Sequence, residues 1–348
     1  MGAIAGAAAA QHAYVANYGS NSVSVIDTAT RAVVGAPIAV GVSPYSVAVS
    51  PDGAYAYVAN ISSNSVSVID TATRAVVGAP IAVGMGPASV AVSPDGAYAY
   101  VVNNASASVS VIDTATRAVV GAPIAVGSEP RSVTVSPDGA YAYVVNTVSD
   151  SISVIDTATR AVVGAPIAVE LFPHSVAVSP DGAYAYVANN GSDSVSVIET
   201  ATRAVVGAPI AVGSFPVSAA VSPDGAYVYV ANSGSDSVSV IDTATRAVVG
   251  APITVGGNPV SVAVSPGGAY VYVANRDSNS VSVIDTATRA VVGASIAVGS
   301  MPHSVAFAPA PPPAPATVPT LSEWAMILLA LMLAGGAMAV IQQRRSAT

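Results

Sequence analysis

Residues 46–83 read SVAVSPDGAYAYVANISSNSVSVIDTATRAVVGAPIAV, and nearly the same string occurs six times in full along the 348-residue chain, with a seventh copy split between the two ends of the array. A matching arginine repeats with it from Arg31 to Arg289, and no insertion or deletion interrupts the copies between roughly residues 13 and 308. The chain is therefore a tandem array of one structural unit. The acid that ends the SVSVID segment marks the period, because it recurs every 43 residues at Asp27, Asp70, Asp113, Asp156, Glu199, Asp242 and Asp285.

Each copy predicts four short β-strands. In the copy quoted above they are residues 46–50, 55–60, 65–70 and 75–83, where Val, Ile and Tyr alternate with small or polar residues between turns rich in Gly, Pro, Asp and Asn. No segment before residue 320 keeps apolar residues at the period of a helix, which excludes helical solenoids. Four strands per 43 residues in seven copies predict an all-β fold, a seven-bladed β-propeller. A β-helix ranks second, because its rungs are shorter.

The ends of the array predict how the ring closes. The array starts one strand late, at residues 12–15, and finishes with a spare inner strand at residues 304–307. We expect one C-terminal and three N-terminal strands to form the closing blade, which leaves no unpaired strand inside the ring. The exposed outer strand carries Ser295 in the last copy, and in the others a proline that opposes edge pairing, namely Pro37, Pro80, Pro123, Pro166, Pro209 and Pro252.

The chain changes character after residue 308. Residues 309–318 form a linker rich in Pro and Ala, and residues 324–341 are an uncharged apolar run that would be about 27 Å long as a helix. That length predicts one C-terminal transmembrane helix. Arg344 and Arg345 follow it, so we expect a cytoplasmic C-terminus and a propeller outside the inner membrane. At the other end, residues 1–11 are apolar and small, and we interpret them as the remnant of a signal peptide whose start lies upstream.

Two family resemblances agree with this organisation. Tyr14-Val15-Ala16-Asn17, with the following SVSVID and SPDG segments, resembles the YVTN β-propeller repeat, which implies four-stranded blades. Residues 319–345 resemble an IPTL-CTERM sorting signal, although Val318 and Ala325 depart from its usual Ile and Gly. That resemblance implies a Gram-negative envelope protein whose tail is handled by an exosortase-type enzyme. The matching residues are Pro319, Thr320, Leu321, Trp324, Arg344 and Arg345.

Composition excludes several functions. Only 9% of residues are charged, against about 25% in ordinary proteins, and the formal net charge is -8. All 11 basic residues are arginines and they are scattered along a chain of net negative charge, so nucleic acid is an unsuitable partner. The chain has no cysteine, which excludes thiolate chemistry. His12, His174 and His303 fall at two repeat positions that we expect to be far apart on the ring, so we predict no metal site and no cofactor.

The repeated residues predict no catalytic site either. Catalysis needs unlike groups at one point, whereas the common part of the repeat offers the same side chains everywhere and contains no His, Lys or Cys. We interpret each repeated Asp as the cap of a turn, with the Arg four residues later returning to it.

The copies differ in two windows, the loop after the second strand and the link before the inner strand. In an up-and-down blade both windows lie on one face of the disc, and loops on a rigid scaffold often carry binding. Neutral drift in these loops is the alternative. The candidate binding residues on this face are Tyr45, Arg131, Phe172, His174, Phe215, Arg276, Met301 and His303.

The sequence therefore predicts an exported, envelope-associated β-propeller that acts as a non-catalytic binding or adhesion module for an unknown surface ligand. A structural or extracellular-matrix repeat protein is the alternative. A lactonase-like or quinoprotein propeller enzyme ranks behind both.

Overall fold

The computed structural model describes residues 11–308. Within them the chain forms seven antiparallel sheets arranged around one axis, which confirms the predicted all-β, seven-bladed propeller. The interpretations of residues 1–10 and 309–348, including the linker, the sorting motif and the apolar run, lie outside the described residues. No helix in the described part of the chain is long and apolar enough to cross a membrane.

Every blade has an inner, a second and a third strand, followed by two short outer segments. The inner strands are Pro44–Val49, Pro87–Val92, Pro130–Val135, Pro173–Val178, Pro216–Val221, Pro259–Val264 and Pro302–Phe307. The second strands are His12–Asn17, Tyr55–Asn60, Tyr98–Asn103, Tyr141–Asn146, Tyr184–Asn189, Tyr227–Asn232 and Tyr270–Asn275. The third strands are Ser22–Asp27, Ser65–Asp70, Ser108–Asp113, Ser151–Asp156, Ser194–Glu199, Ser237–Asp242 and Ser280–Asp285.

The fourth strand, predicted as one piece over residues 75–83, is wrong in detail. Two segments of two residues each pair with the third strand, because Gly78 adopts a φ of +73° and Pro80 has no N–H between them. One 3₁₀ turn, Asn190–Ser192, is the remaining element. The outer segments are Ala32–Val33, Ile38–Ala39, Ala75–Val76, Ile81–Ala82, Ala118–Val119, Ile124–Ala125, Ala161–Val162, Ile167–Ala168, Ala204–Val205, Ile210–Ala211, Ala247–Val248, Ile253–Thr254, Ala290–Val291 and Ile296–Ala297.

The hydrophobic core lies between the blades. The second and third strands are buried on both faces, so alternate residues of one blade pack against the opposite set from the next blade. In one such interface Tyr57 and Val68 meet Val101 and Ile112 of the following blade. Seven equivalent interfaces of this kind close the ring and hold the inner strands at fixed positions around the axis.

The predicted closure is confirmed. The inner strand Pro302–Phe307 pairs antiparallel with His12–Asn17, so one C-terminal strand completes a blade whose other strands are N-terminal. Serine hydroxyls also join neighbouring inner strands around the axis. The amide of Val47 donates to Ser304 Oγ of the closing blade at 3.2 Å, and the amide of Val90 donates to Ser46 Oγ at 3.3 Å.

The repeated arginine does not return to the aspartate of its own turn, so that interpretation is wrong. The aspartate does cap the turn, since Asp70 Oδ1 accepts hydrogen bonds from the amide and hydroxyl of Thr73. The arginine instead reaches the preceding blade, where Arg117 lies 4.8 Å from the ring centroid of Tyr55. Six of the seven junctions have this cation–π contact, and in the seventh Arg74 lies 3.2 Å from His12, which stands at the tyrosine position.

Candidate functional site

The two windows that differ between copies do lie on one face of the disc. Backbone hydrogen bonds join them directly, from the amide of Ile61 to the carbonyl of Ser43 and from the amide of Ser62 to that of Val42. The two invariant turns meet on the other side, where the amide of Thr71 donates to the carbonyl of Ala54. We call the first side the variable face and the second the invariant face.

A β-bulge opens every inner strand on the variable face. Pro44 pairs with Asn60 and Ser46 with Ala59, so the residue between them, Tyr45, has no partner of its own. Bulges redirect side chains and are frequent beside functional sites. The copies differ in chemistry at this bulge position, which lines the axial channel with Tyr45, Ala88, Arg131, His174, Val217, Val260 and His303.

Above the bulges the channel widens into a cavity of about 380 Å³ that opens on the variable face. Side chains from the loops after the second strands, such as Tyr18 and Arg276, complete its wall. Six of the eight candidate binding residues line it, namely Tyr45, Arg131, His174, Phe215, Arg276 and His303. The structure therefore collects at one point side chains that are up to 258 residues apart in sequence.

Tyr45, Arg131 and His303 form one packed group in the cavity wall. The Arg131 guanidinium donates to the Tyr45 hydroxyl at 2.6 Å, and the rings of Tyr45 and His303 stack with centroids 3.6 Å apart. His303 Nδ1 lies 3.0 Å from the carbonyl oxygen of Tyr45. Because a carbonyl oxygen can only accept, Nδ1 carries the proton in the neutral imidazole. Tyr18 packs edge-on to Tyr45 at 6.3 Å and extends the group toward the rim.

Both imidazoles are held in the neutral form. Desolvation inside the channel mouth lowers the pKa of His174 to about 3, and the positive charge of Arg131 adds to the effect. The same two causes, desolvation first, lower the pKa of His303 to about 3, although its hydrogen bond to Tyr45 opposes them. At neutral pH the arginines are therefore the charged groups of the cavity wall.

The expectation that His174 and His303 are far apart is wrong. They belong to blades three steps apart, but all inner strands converge on one axis, so both side chains line the same cavity. His12 does lie elsewhere, on the invariant face beside Arg74. No cluster of three or more potential metal ligands occurs among residues 11–308.

Phe172 and Met301 lie at the rim rather than in the wall of the cavity. Phe172 and its counterpart Phe215 are 50% and 55% exposed, and each adopts a left-handed φ near +50° that bulky residues rarely adopt. A carboxylate of the preceding blade holds each in place, since Asp150 Oδ1 accepts from the Phe172 amide and Asp193 Oδ1 from the Phe215 amide, both at 2.7 Å. The equivalent residue of each other blade also has a positive φ, so this conformation belongs to the repeat and not to the two phenylalanines: Ser43, Gly86, Glu129, Asn258 and Met301.

Sequence reasoning missed Tyr18, which stands at the same loop position as Arg276 and lies under its guanidinium. The Arg276 carbon Cζ is 5.9 Å from the centroid of the Tyr18 ring. The signal was available, because the residue after the repeated Asn varies in every pair of neighbouring copies. The bulge also had a signal, since a proline fits the first position of a strand or a bulge better than a strand interior.

Comparison with known proteins gives two family matches. The chain matches the YNCE-like beta-propeller over residues 3–312 and the IPTL-CTERM motif over residues 316–345. No curated protein matches the sequence. The second match agrees with the sorting signal interpreted from the sequence, and it implies a secreted or envelope-anchored protein.

Several solved structures share the propeller. Hydrazine Synthase from Kuenenia stuttgartiensis is 30% identical, with a TM-score of 0.72 over 79% of this chain and 92% of that chain. A putative 6-phosphogluconolactonase from Bacteroides uniformis is 20% identical (TM-score 0.74), and a periplasmic gluconolactonase from Pseudomonas aeruginosa is 21% identical (TM-score 0.71). Each of the latter two aligns over 86% of this chain and 99% of its own, and at these identities the likeness shows the fold alone. The fold and the match over most of the sequence agree, and the chain belongs to the YNCE-like beta-propeller family.

Proposed function

We propose that this chain is an exported, non-catalytic binding module of a Gram-negative cell envelope, which takes its ligand in the cavity on the variable face. The IPTL-CTERM motif supports export to the cell envelope. In this proposal an exosortase-type enzyme processes the tail, and until then a C-terminal helix holds the chain in the inner membrane with its C-terminus in the cytoplasm.

One observation carries the proposal: the cavity gathers side chains that the repeat itself does not contain. Every strand of the scaffold repeats, whereas the bulge position carries Tyr, Ala, Arg, His, Val, Val and His in turn. A rigid ring with unlike residues at its mouth is a common arrangement for ligand recognition. A structural repeat protein needs no such cavity, so this feature favours binding over bulk assembly.

An enzyme is the second candidate, because unlike groups do meet in the cavity and the argument from identical blades no longer applies. The electrostatics favour binding. An effective general base has a pKa near the working pH, whereas the pKa of both His174 and His303 is lowered to about 3. No Asp or Glu is among the residues of the described chain that line the cavity.

Saturable binding of the purified mature protein to stripped envelopes of the producing cells tests the proposal. Replacing Phe172 and Phe215 together by Ser is expected to weaken binding by about 2 kcal/mol or more, since binding energy concentrates in a few large side chains. The fold should survive, because both residues are exposed and lie outside the strands. The matched control changes Ala54 and Ala97, in the turns of the invariant face, to Ser.

If both variants bind equally well and their circular dichroism is unchanged, the differences between the variable loops are neutral drift. Ordered self-association of the disc without any saturable ligand would then favour the structural-protein alternative.

A further inference from the structure

The cavity on the variable face is positively charged inside an acidic protein. Among residues 11–308, its wall contains two guanidinium groups, from Arg131 and Arg276, and no carboxylate. Asp277, the neighbour of Arg276, accepts hydrogen bonds from Asn258 Nδ2 at 3.3 Å and is not among the lining residues. The whole chain has a formal net charge of -8, so the cavity is a local reversal of sign. Concave sites of one sign focus the electrostatic potential on an opposite charge.

Both arginines have hydrogen-bonding capacity left over. A guanidinium has five N–H donors, and Arg131 uses one nitrogen for the Tyr45 hydroxyl. Arg276 Nε is buried and has no hydrogen-bond partner among the described residues. Because this nitrogen is enclosed, a ligand oxygen would bind through the other donors of the two guanidinium groups, which line the cavity. Planar guanidinium groups match carboxylate and phosphate oxygens in particular.

The rest of the wall suits a carbon skeleton rather than a bare inorganic ion. Phe215, Val217 and Val260 supply apolar surface, and the rings of Tyr18 and Tyr45 supply flat faces. A volume of about 380 Å³ falls in the range of sites for small organic molecules. Asn190, Ser233 and Asn258 also line the wall, so beside the arginines it offers polar groups together with an apolar patch for a ring-bearing body.

We propose that the ligand of this cavity is a small organic anion, whose carboxylate or phosphate group is held by Arg131 and Arg276 and whose body packs against Phe215, Val217 and Val260. This inference rests on the proposed function and adds the chemical class of the ligand.

Isothermal titration of the full-length chain in detergent tests this with four probes: benzoate, benzyl phosphate, benzamide and inorganic phosphate. We expect at least one of the two ring-bearing anions to bind with a Kd of about 1 mM or tighter, and neutral benzamide and inorganic phosphate to bind at least about tenfold more weakly. A preference for benzoate or for benzyl phosphate then separates a carboxylate from a phosphate ester.

The variants exchange residues between copies, which protects the fold. Arg131→Val introduces the residue that two other blades carry at the bulge, and Arg276→Asn introduces the residue present at 104 and 190. Together they are expected to weaken binding of the anionic probe at least about tenfold. Arg117→Gln removes the same charge from the invariant face, where the guanidinium covers Tyr55, and should leave the Kd unchanged.

Three results would each overturn the anion assignment: benzamide binds as tightly as the better of the two ring-bearing anions, neither ring-bearing anion binds, or the Kd is unchanged in the double variant. Envelope binding separates this from failure of the proposed function. If the double arginine variant still binds envelopes while the Phe172 and Phe215 variant does not, the binding module stands and only the ligand class is wrong.

Discussion

At the scale of single residues, burial in the channel determines whether a titratable side chain carries a charge. His174 and His303 stand at a position where Ala and Val also occur, so the scaffold does not need an imidazole there. Their enclosure, aided by Arg131, lowers the pKa of both side chains to about 3. A histidine in an unfolded chain has a pKa of about 6.5. The two states of the protein therefore bind different numbers of protons between these values.

This difference predicts acid sensitivity. Below about pH 6.5 the unfolded chain protonates both imidazoles while the folded chain does not, so the free energy of unfolding falls as the pH drops toward 3. The expected loss is up to about 1.4 kcal/mol per pH unit for each imidazole. Urea denaturation at about pH 7.5 and about pH 4.5 measures it. The double variant His174→Val, His303→Val should show a clearly smaller loss, and an equal loss in both proteins would contradict the lowered pKa values.

At the scale of elements, the sequence predicts the strands better than it predicts the side-chain contacts between neighbouring blades. The inner, second and third strands follow from alternation and turn residues, because both signals are local. The break in the outer strand was visible as Gly78 and Pro80. The destination of the arginine was not, because a guanidinium has two candidate partners and the packing of neighbouring blades selects the tyrosine of the preceding blade.

Long-range contacts are also what the sequence could not predict for the cavity. Its candidate residues could be chosen from the sequence, since differences between copies stand out against a constant repeat. Their meeting point could not, because Tyr45 and His303 come together only when the ring closes. Nor could the sequence show that Phe172, an exposed side chain of the variable face, is not among the residues that line the cavity.

Closure makes the last inner strand a structural element of the ring. Deleting residues 302–348 removes the partner of His12–Asn17 and takes Val305, which is 5% exposed, from the core shared with Tyr272. We expect several kcal/mol of lost stability and a Tm lower by roughly 10 °C. Deleting residues 309–348 leaves every described strand intact and should not lower the Tm in this way. Equal melting temperatures in differential scanning calorimetry would show that the strand is dispensable.

At the scale of the whole molecule, the ends of the described chain lie away from the cavity. The amide of Ala308 donates to the carbonyl of His12 at 2.9 Å, and the amide of Thr28 donates to that of Gln11. Both ends therefore lie on the invariant face, beside the turns that repeat without change. An attachment through either end leaves the mouth of the cavity unobstructed at the point of attachment. The invariant face is thus available for attachment and the variable face for ligand binding.

If the chain is anchored as proposed above, this arrangement predicts which face of the propeller is accessible. The chain contains no cysteine, so one introduced thiol gives a unique label. Ser62→Cys places it on the variable face and Ala72→Cys on the invariant face of the same blade, both at exposed positions. With a bulky polyethylene-glycol maleimide, spheroplasts carrying the full-length protein should label residue 62 several-fold faster than residue 72, because both ends of the described chain lie on the face of residue 72. The protein released by deleting residues 309–348 is the control, and there the two rates should converge. Faster labelling of residue 72 in spheroplasts would mean that the cavity faces the surface to which the protein is attached, and labelling of neither residue before lysis would contradict export.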